Sequence, residues 1–399
     1  MANLENRGNG SWRVTISNGY NPDGSKRRLQ RTVKVDPSKT VNAQRKEAEK
    51  IAAALETDFQ RHLITDGKRI TMNALADEYM TDHVKRRSLA ASTAKQYRDL
   101  IDGRILPAFG KKCVQDLSPR DISKFYADLE KAKPLTARAT SGKLSGTTRL
   151  KYHVALHSML AYAVRMGYIS VNPADAVEPP RKDTKETSFY ELEDCAKLLT
   201  ALDDLPDLQW RLYFYMSIYT GMRPAELVGL NWTDINGNVV SVRAGATYLP
   251  GQGTIRTDRP KTQKSIRMID LPPVICTLLQ QHRSQQAEYR LQFGKEWPEP
   301  DAVFTGALGH RLNISSPTQK FQKIVKAYDL KPITLYGLRH TAATIMIAQG
   351  LNVRDVSARL GHAQTSTTLN IYAHAFMDAN TRATNAITDA LENARKHVK

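Results

Sequence analysis

Four short segments in the second half of the chain carry side chains that could act together on a phosphate. They are YTGMRPAEL at 219–227, PKTQKSIR at 260–267, LYGLRHTAAT at 335–344 and LGHAQTSTTLNIYAHA at 360–375. In chain order, the candidate groups are Arg223 and Glu226, Lys261, Tyr336 and Arg339, and His362 and Tyr372. No segment combines His, Cys, Asp and Glu at metal-ligand spacing. The set therefore indicates anion chemistry that uses no metal.

Two arginines, a lysine, a histidine and a tyrosine suit the transfer of a phosphoryl group. A phosphodiester under attack gathers negative charge on its non-bridging oxygens, which Arg223 and Arg339 could clamp bidentately. His362 could donate one more hydrogen bond, worth about 3 kcal/mol by analogy with oxyanion holes. Only about a thousandth of a phenol is ionised at neutral pH, so cations must help Tyr372 to become a nucleophile. A protonated Lys261 suits the departing oxygen as a general acid.

Single residues of this set also have ordinary structural explanations. Leu369, Tyr372 and Phe376 recur at helical spacing, so Tyr372 taken alone is more simply a packed aromatic residue. Lys261 follows Pro260 before an alternating run, and a lysine at a hairpin tip commonly serves solubility. The coincidence of four separate segments favours chemistry.

Turn and capping signals indicate how the candidate residues are positioned. A glycine and a proline bracket Arg223, so we expect a turn there and the start of a new helix at the proline. Glu226 in the first turn suits the helix dipole and could brace that arginine. The periodicity of 334–350 predicts a helix with Arg339 in its first turn.

Composition indicates a protein that meets a long polyanion. The 399 residues carry a formal net charge of +18, spread along the whole chain. This charge favours nucleic acid as a partner, although a soluble protein of high pI without that role is the ordinary alternative. No apolar run approaches the ~20 residues of a membrane span, and the first residues form no signal region. The three cysteines are scattered and give no disulfide framework, so we expect a cytoplasmic protein. Because no apolar run is long enough, we expect no membrane contacts.

The chain is long enough for two or three domains and shows four regions. Within residues 1–66, β-prone runs on both sides of the turn signal NPDG predict a small sheet, and a helix is predicted at 42–62. Residues 67–178 have helical periodicity, and 179–188 have a linker composition. Residues 189–399 mix helices with short strands and end in a C-terminal tail.

Two groups of basic residues could contact nucleic acid. Arg13, Arg28 and Lys34 are expected on the face of the N-terminal sheet that points away from its helix, where they could enter a DNA groove. The second group stands at the start of a helix, where phosphates are favoured, and consists of Lys85, Arg86 and Arg87. A solvated protein surface explains either group as well.

The four segments, in their order and separation, resemble the tyrosine recombinases, or phage-type integrases, of phages and conjugative elements with an added N-terminal domain. STAKQYRDLIDGRILPAFGKKCVQDLSPRDI at 92–122 resembles their helical core-binding domain. The resemblance implies a multidomain fold that is mainly α with small sheets. It would contain a three-stranded arm-binding domain, a SAM-like core-binding domain and a mixed α+β catalytic domain.

Carried over to this sequence, the resemblance makes Tyr372 the nucleophile, which would form a 3′-phosphotyrosine link to DNA and release a 5′ hydroxyl. Lys261 would be the general acid, and Glu226 would orient the cluster. The scissile phosphate would be held by Arg223, Arg339 and His362. The energy of the broken bond stays in the protein–DNA link, so no ATP, cofactor or metal is expected.

Tyr336 departs from the family pattern, which has a histidine three residues before the second arginine. A phenol can donate a hydrogen bond to the phosphate, but it is a poor base near neutral pH. Tyr336 would keep a positioning role only, or the proton of Tyr372 would pass to water or another group. His340 points about 100° around the helix from Arg339, so it is not expected to substitute.

The resemblance implies a site-specific recombinase that integrates or excises a mobile element. It would act as a homotetramer on attachment sites in double-stranded DNA, with an excisionase or a DNA-bending protein as a further partner. A type IB topoisomerase and a catalytically impaired DNA-binding regulator remain alternatives. A metal-dependent nuclease is disfavoured, because His362 and His374 lack partners at ligand spacing.

Overall fold

The structure is a computed structural model of the chain. It describes residues 2–20, 26–60, 69–84, 89, 91–135, 142–183, 188–258, 266–361, 387, 388 and 391. The chain divides into two compact units, Met1–Thr184 and Lys185–Lys399. The described fold is mostly helical with small sheets, which confirms the predicted class. Within these ranges, no helix is both long and apolar enough to cross a bilayer.

The first unit begins with a three-stranded antiparallel sheet that a helix covers on one face. The elements are β1 (Asn3–Gly8), β2 (Ser11–Tyr20), β3 (Lys26–Lys34) and helix α1 (Val41–Gln60). Alternation along residues 11–17 of β2 buries every second side chain, as the sequence predicts. These side chains pack against the small residues of α1, in two clusters that contain Trp12, Val14, Ile16, Ala48 and Ala52.

The described remainder of the first unit is helical. Its α-helices are α2 (Met72–Glu78), α3 (Ala91–Leu100), α4 (Leu106–Phe109), α5 (Pro119–Lys131) and α6 (Gly146–Arg165). π-helical turns continue α2 at Tyr79–Val84 and join α3 to α4 at Ile101–Ile105. Short 3₁₀ turns lie at Val114–Asp116 and Pro173–Ala176. The long helix α6 packs against α2, α3 and α5, so it forms the centre of this helical cluster.

In the residues that the structure describes, the second unit combines helices with two small antiparallel sheets. Its helices are α7 (Leu192–Asp203), α8 (Leu208–Thr220), α9 (Pro224–Val228), α10 (Pro273–Phe293), α11 (Ser316–Ala327), α12 (Leu335–Ala348) and α13 (Val353–Leu360). The strands are β4 (Ile235–Asn236), β5 (Val239–Val242), β6 (Gly245–Leu249), β7 (Gly253–Thr257) and β8 (Arg267–Asp270). One sheet has the order β4-β5-β8, and β6 pairs with β7.

Helix α8 is the core of the second unit and positions the ends of its neighbours. Its apolar sequence has no polar face, and most of its side chains are buried, among them Leu212, Tyr213, Phe214 and Met216. Helices α7, α10 and α12 pack around it. Since α8 ends close to the start of α12, the fold brings distant parts of the sequence together at that end.

Candidate active site

Arg223 leaves the core at the junction between α8 and α9. Gly221 ends α8 in a left-handed conformation with φ +63°, and a Cβ there would lie 2.6 Å from Leu360 Cδ2. Glycine therefore serves both the backbone turn and the close approach of α13. Arg223 is the N-cap residue of α9, and Pro224 takes the first helical position, as the sequence predicts.

Glu226 binds Arg223 from inside the first turn of α9. Its Oε2 accepts the backbone N–H of Arg223 at 2.8 Å, and its Oε1 accepts Nη1 at 2.7 Å. The same oxygens accept Nη2 and Nη1 of Arg267 at 2.8 and 3.3 Å. Burial alone would raise the pKa of the Glu226 carboxyl, but hydrogen bonds and charge from Arg267 and Arg223 lower it below its ordinary value. Glu226 is thus a buried anion shared by two guanidinium groups.

Arg339 is the fifth residue of α12, at the start of its second turn and one residue beyond the predicted first turn, and it is 2% exposed. Its Nη1 donates to Gly221 O and its Nη2 to Leu360 O, both at 2.7 Å. Burial, and then the charge of Arg223, lowers the pKa of Arg339 to about 10. The guanidinium remains a cation at neutral pH, and it lies near that of Arg223 because the two donate to the adjacent carbonyl oxygens of Leu360 and Gly361.

Three arginines meet at the C-terminal end of α13. Each of three consecutive carbonyl oxygens accepts an N–H from a different element: Arg359 O from Arg267 Nε at 2.6 Å, Leu360 O from Arg339 Nη2 at 2.7 Å and Gly361 O from Arg223 Nη2 at 3.0 Å. The last carbonyls of a helix lack partners within it and carry partial negative charge, so they attract cations. The end of α13 therefore gathers guanidinium groups that are far apart in the sequence.

Tyr336 stands one turn before Arg339, with 42% of its surface exposed. Its ring packs edge-on against His340, with centroids 5.1 Å apart. His340 is buried, and burial followed by the charge of Arg339 lowers its pKa to about 4. This imidazole is uncharged at neutral pH, so the exposed phenol is the more accessible group of the pair.

Several predicted groups lie outside the residues that the structure describes, namely Lys85, Arg86, Arg87, Lys261, His362 and Tyr372. Gly361, whose carbonyl oxygen accepts a hydrogen bond from Arg223, directly precedes His362 in the chain. Likewise β7 and β8 flank the lysine segment on the chain. The roles of these groups stay predictions.

The three cations predicted for the N-terminal sheet share one of its faces. The register pairs Ser11 with Lys34, Arg13 with Thr32 and Ser17 with Arg28, on the side opposite to the buried positions of β2. Arg28 and Lys34 are exposed, whereas Arg13 is partly buried and lies 3.5 Å from Glu5 of β1. The face is open to a ligand, and its contact with DNA stays a prediction.

Arg267 belongs to the cluster, but the sequence reasoning missed it. Along β8, Arg267 and Ile269 are buried while Met268 and Asp270 are exposed. An arginine at an inward position of an alternating strand is the signal that could have found it, because a buried charge requires a partner.

The described part of the site is a cationic cluster. Arg223 and Arg267 bind the Glu226 carboxylate, and Arg339 adds a third guanidinium at the end of α13, so positive charge exceeds negative charge. Within the described ranges, no group of three or more His, Cys, Asp or Glu side chains could hold a metal ion. Because guanidinium groups match phosphate oxygens in geometry and charge, the cluster is typical of proteins that bind phosphoryl groups through arginines.

Two family models match the chain. The Phage integrase family covers residues 189–378, and the N-terminal SAM-like domain of phage integrases covers 71–129. The chain belongs to the phage integrase family of tyrosine recombinases, enzymes that cleave and rejoin DNA through a tyrosine intermediate. The predicted family is confirmed.

Relatives and solved structures agree with this assignment. A "Tyrosine recombinase XerC-like" protein of Caldanaerobacter subterraneus subsp. tengcongensis is 26% identical over 408 residues, which cover 97% of this chain and 98% of the relative. The Tn1549 transposon integrase in complex with transposon right end DNA is 19% identical with a TM-score of 0.66, covering 80% of this chain and 100% of that chain. A lambda integrase tetramer bound to a Holliday junction is 16% identical with a TM-score of 0.57, covering 92% and 94%.

Proposed function

We propose that this chain is a site-specific DNA integrase in which Tyr372 attacks a phosphate held by Arg223 and Arg339. The observation that supports it most is the meeting of the two guanidinium groups at the end of α13, one residue before His362. The attack forms a 3′-phosphotyrosine bond and breaks the bond to the 5′ oxygen. Lys261 gives its proton to that oxygen, while His362 donates a hydrogen bond to a non-bridging oxygen.

The two arginines differ in how a phosphate reaches them. The Arg223 side chain is 31% exposed and can bind the anion directly, whereas Arg339 as a residue is 2% exposed. Arg339 acts first through its charge, which the protein interior screens weakly. Direct contact with Arg339 requires the site to tighten on bound DNA, as catalytic hydrogen bonds often do.

Tyr336 takes a positioning role in this proposal. Its exposed phenol can donate a hydrogen bond to the phosphate, but it cannot accept a proton efficiently near neutral pH. The buried His340, with a pKa of about 4, does not replace it as a partner of DNA. The proton of Tyr372 therefore passes to water or to another group.

The domains divide the DNA between them. Residues 67–178 and 189–399, which the linker at 179–188 joins, both bind the core site, and residues 1–66 bind arm sites with Arg13, Arg28 and Lys34. Lys85, Arg86 and Arg87 contact the backbone of the core site. The active form is a homotetramer on paired attachment sites, which the likeness to a lambda integrase tetramer bound to a Holliday junction supports. The reaction takes place in the cytoplasm, and an excisionase or a DNA-bending protein sets its direction.

A suicide substrate tests the chemistry. DNA with a candidate attachment site is nicked beside the cleavage point, so that the released fragment diffuses away and the covalent complex accumulates. The wild-type chain should accumulate it equally with and without EDTA, and Tyr372→Phe should not accumulate it. Tyr289→Phe, which changes an exposed tyrosine elsewhere in the same unit, should accumulate it like the wild type. An adduct formed by Tyr372→Phe would refute the nucleophile. Relaxation of plasmids that lack attachment sites, without joined recombinants, would favour a topoisomerase.

A further inference from the structure

Arg267 contacts two helices, α9 through Glu226 and α13 through Arg359. The ends of these helices hold the arginines that are proposed to bind the phosphate. Its Nη1 and Nη2 donate to the two oxygens of Glu226, and its Nε donates to Arg359 O at 2.6 Å. Glu226 in turn holds Arg223, and Arg359 lies two residues before Gly361. One buried side chain therefore connects the start of α9 to the end of α13.

Arg267 is too enclosed to bind DNA itself. Its side chain is 6% exposed, against 31% for that of Arg223. The donors Nε, Nη1 and Nη2 all face protein oxygens, at distances from 2.6 to 3.3 Å. Any influence on the reaction must pass through the groups that it touches.

The guanidinium also fills the space beneath the last turn of α13. A Cβ at Gly361 would lie 2.8 Å from Arg267 Nη1, and the backbone there has φ +66°. A side chain at this position would therefore both strain the backbone and displace the guanidinium. The fit restrains Gly361, the residue that ends α13 and directly precedes His362 in the chain.

The charges explain why a second guanidinium on Glu226 matters. Burial favours the protonated carboxyl, and Arg267 is the largest influence that keeps it ionised. An ionised carboxylate can accept both the backbone N–H and Nη1 of Arg223, which fixes that arginine at two points. Without Arg267 these bonds weaken, and Arg223 gains freedom at the position where the phosphate must be held.

We propose that Arg267 is a positioning residue for DNA cleavage, which orients Arg223 through Glu226 and holds the end of α13 through Arg359 O. The inference rests on the proposed function, because it requires Arg223 to bind the scissile phosphate. A misplacement of about 1 Å can cost roughly 100-fold in rate. DNA affinity should change little, because it comes mainly from the many phosphate contacts of a DNA-binding protein.

Arg311 provides a matched control for the loss of a buried arginine. Its side chain is 3% exposed and donates to the Glu299 carboxylate and to the carbonyls of Val228 and Leu230, at the other end of α9. Arg311 and Arg267 thus both brace α9 with a carboxylate and backbone oxygens. General loosening of α9 should affect both variants, whereas positioning of Arg223 should depend on Arg267.

The test compares Arg267→Met, Arg267→Lys and Arg311→Met on the suicide substrate, at a temperature where each variant is folded. The rate of covalent complex formation at saturating DNA is measured beside the Kd for the same DNA. We expect Arg267→Met to react about 100-fold more slowly with a Kd within about threefold of wild type. Arg267→Lys should react about tenfold faster than Arg267→Met, because it keeps a positive charge near Glu226. Arg311→Met should stay within about threefold in both quantities.

An unchanged rate for Arg267→Met, equal losses of rate in Arg267→Met and Arg311→Met, or a loss confined to Kd would overturn the inference. If Arg267→Met does not fold, Arg267→Lys decides: about tenfold slower cleavage at unchanged Kd supports positioning, and a wild-type rate refutes it. A wild-type chain that forms no adduct, or a Tyr372→Phe variant that does, contradicts the proposed function instead.

Discussion

Replacing Glu226 by glutamine removes one buried negative charge and leaves the shape of the side chain nearly unchanged. The carboxylate accepts four hydrogen bonds, two from Arg223 and two from Arg267. A glutamine retains one acceptor oxygen and turns an amide N–H toward guanidinium donors. At about 1.5–3 kcal/mol for each charge-assisted bond, the loss of two such bonds costs roughly 3–6 kcal/mol. Removing one partner of a buried ion pair costs a similar amount, about 3–5 kcal/mol.

The pH dependence of this loss follows from the lowered pKa of Glu226. Its ordinary value is 4.5, and the folded value lies below it. A carboxyl with a lowered pKa stabilises the folded state above its unfolded pKa, and this contribution disappears as pH falls through the folded pKa. The gap in unfolding free energy between wild type and Glu226→Gln should therefore be constant near neutral pH and shrink below about pH 4.5.

Tryptophan fluorescence can report the second unit alone in a Trp12→Phe background. The three tryptophans that remain all lie in that unit, at Trp210, Trp232 and Trp297. Asp258→Asn is the control, because Asp258 is 78% exposed and bonds Arg256 at the surface, so its loss should cost at most about 0.5 kcal/mol. A gap below about 1 kcal/mol for Glu226→Gln at neutral pH, or one that grows on acidification, would refute the buried anion.

Three further variants test the role of Lys261, the fit of Gly361 and the basic face of the N-terminal sheet. Lys261→Ala should lose cleavage of ordinary DNA and regain it on DNA whose departing 5′ oxygen is replaced by sulfur, because a thiolate leaves without a general acid. Failure of this rescue would remove Lys261 from the role of general acid. Gly361→Ala should lower the melting temperature through about 1–3 kcal/mol of strain at the site that Arg267 fills. It should reduce the rate of cleavage more than the affinity for DNA, and equal losses of the two would argue against a role of this fit in cleavage. Joint replacement of Arg28 and Lys34 by alanine should reduce the slope of log K against log salt on arm-site DNA by about 2; an unchanged slope would exclude the predicted sheet face.

Local signals were sufficient to predict the positions of Arg223 and Arg339, though not that of Arg267. The turn before Pro224 and the first-turn carboxylate of Glu226 depend only on neighbouring residues, so the sequence predicts the start of α9 and the pairing of Glu226 with Arg223. The periodicity of α12 similarly places Arg339 near the start of that helix. The meeting of these two arginines was predicted from the combination of motifs with the family resemblance.

Other features depend on tertiary contacts that no local pattern encodes. Arg267 reaches Arg359 across 92 residues, and nothing near β8 indicates this partner. Strand β1 has the polar sequence NLENRG without apolar alternation, so its pairing with β2 is visible only in the fold. The π-helical turn at Tyr79–Val84 differs from an α-helix by one residue per turn, too little for periodicity to detect over six residues.

If the phenolic oxygen of Tyr372 attacks a phosphate bound by Arg223 and Arg339, the trapped intermediate must carry DNA on that side chain. Mass spectrometry of the protease-digested covalent complex from the suicide substrate locates the attachment. We expect a nucleotide attached through its 3′ phosphate to the peptide that contains Tyr372, and no adduct when Arg223 is replaced by alanine. A phosphate found on any other residue, or attached through its 5′ end, would contradict it.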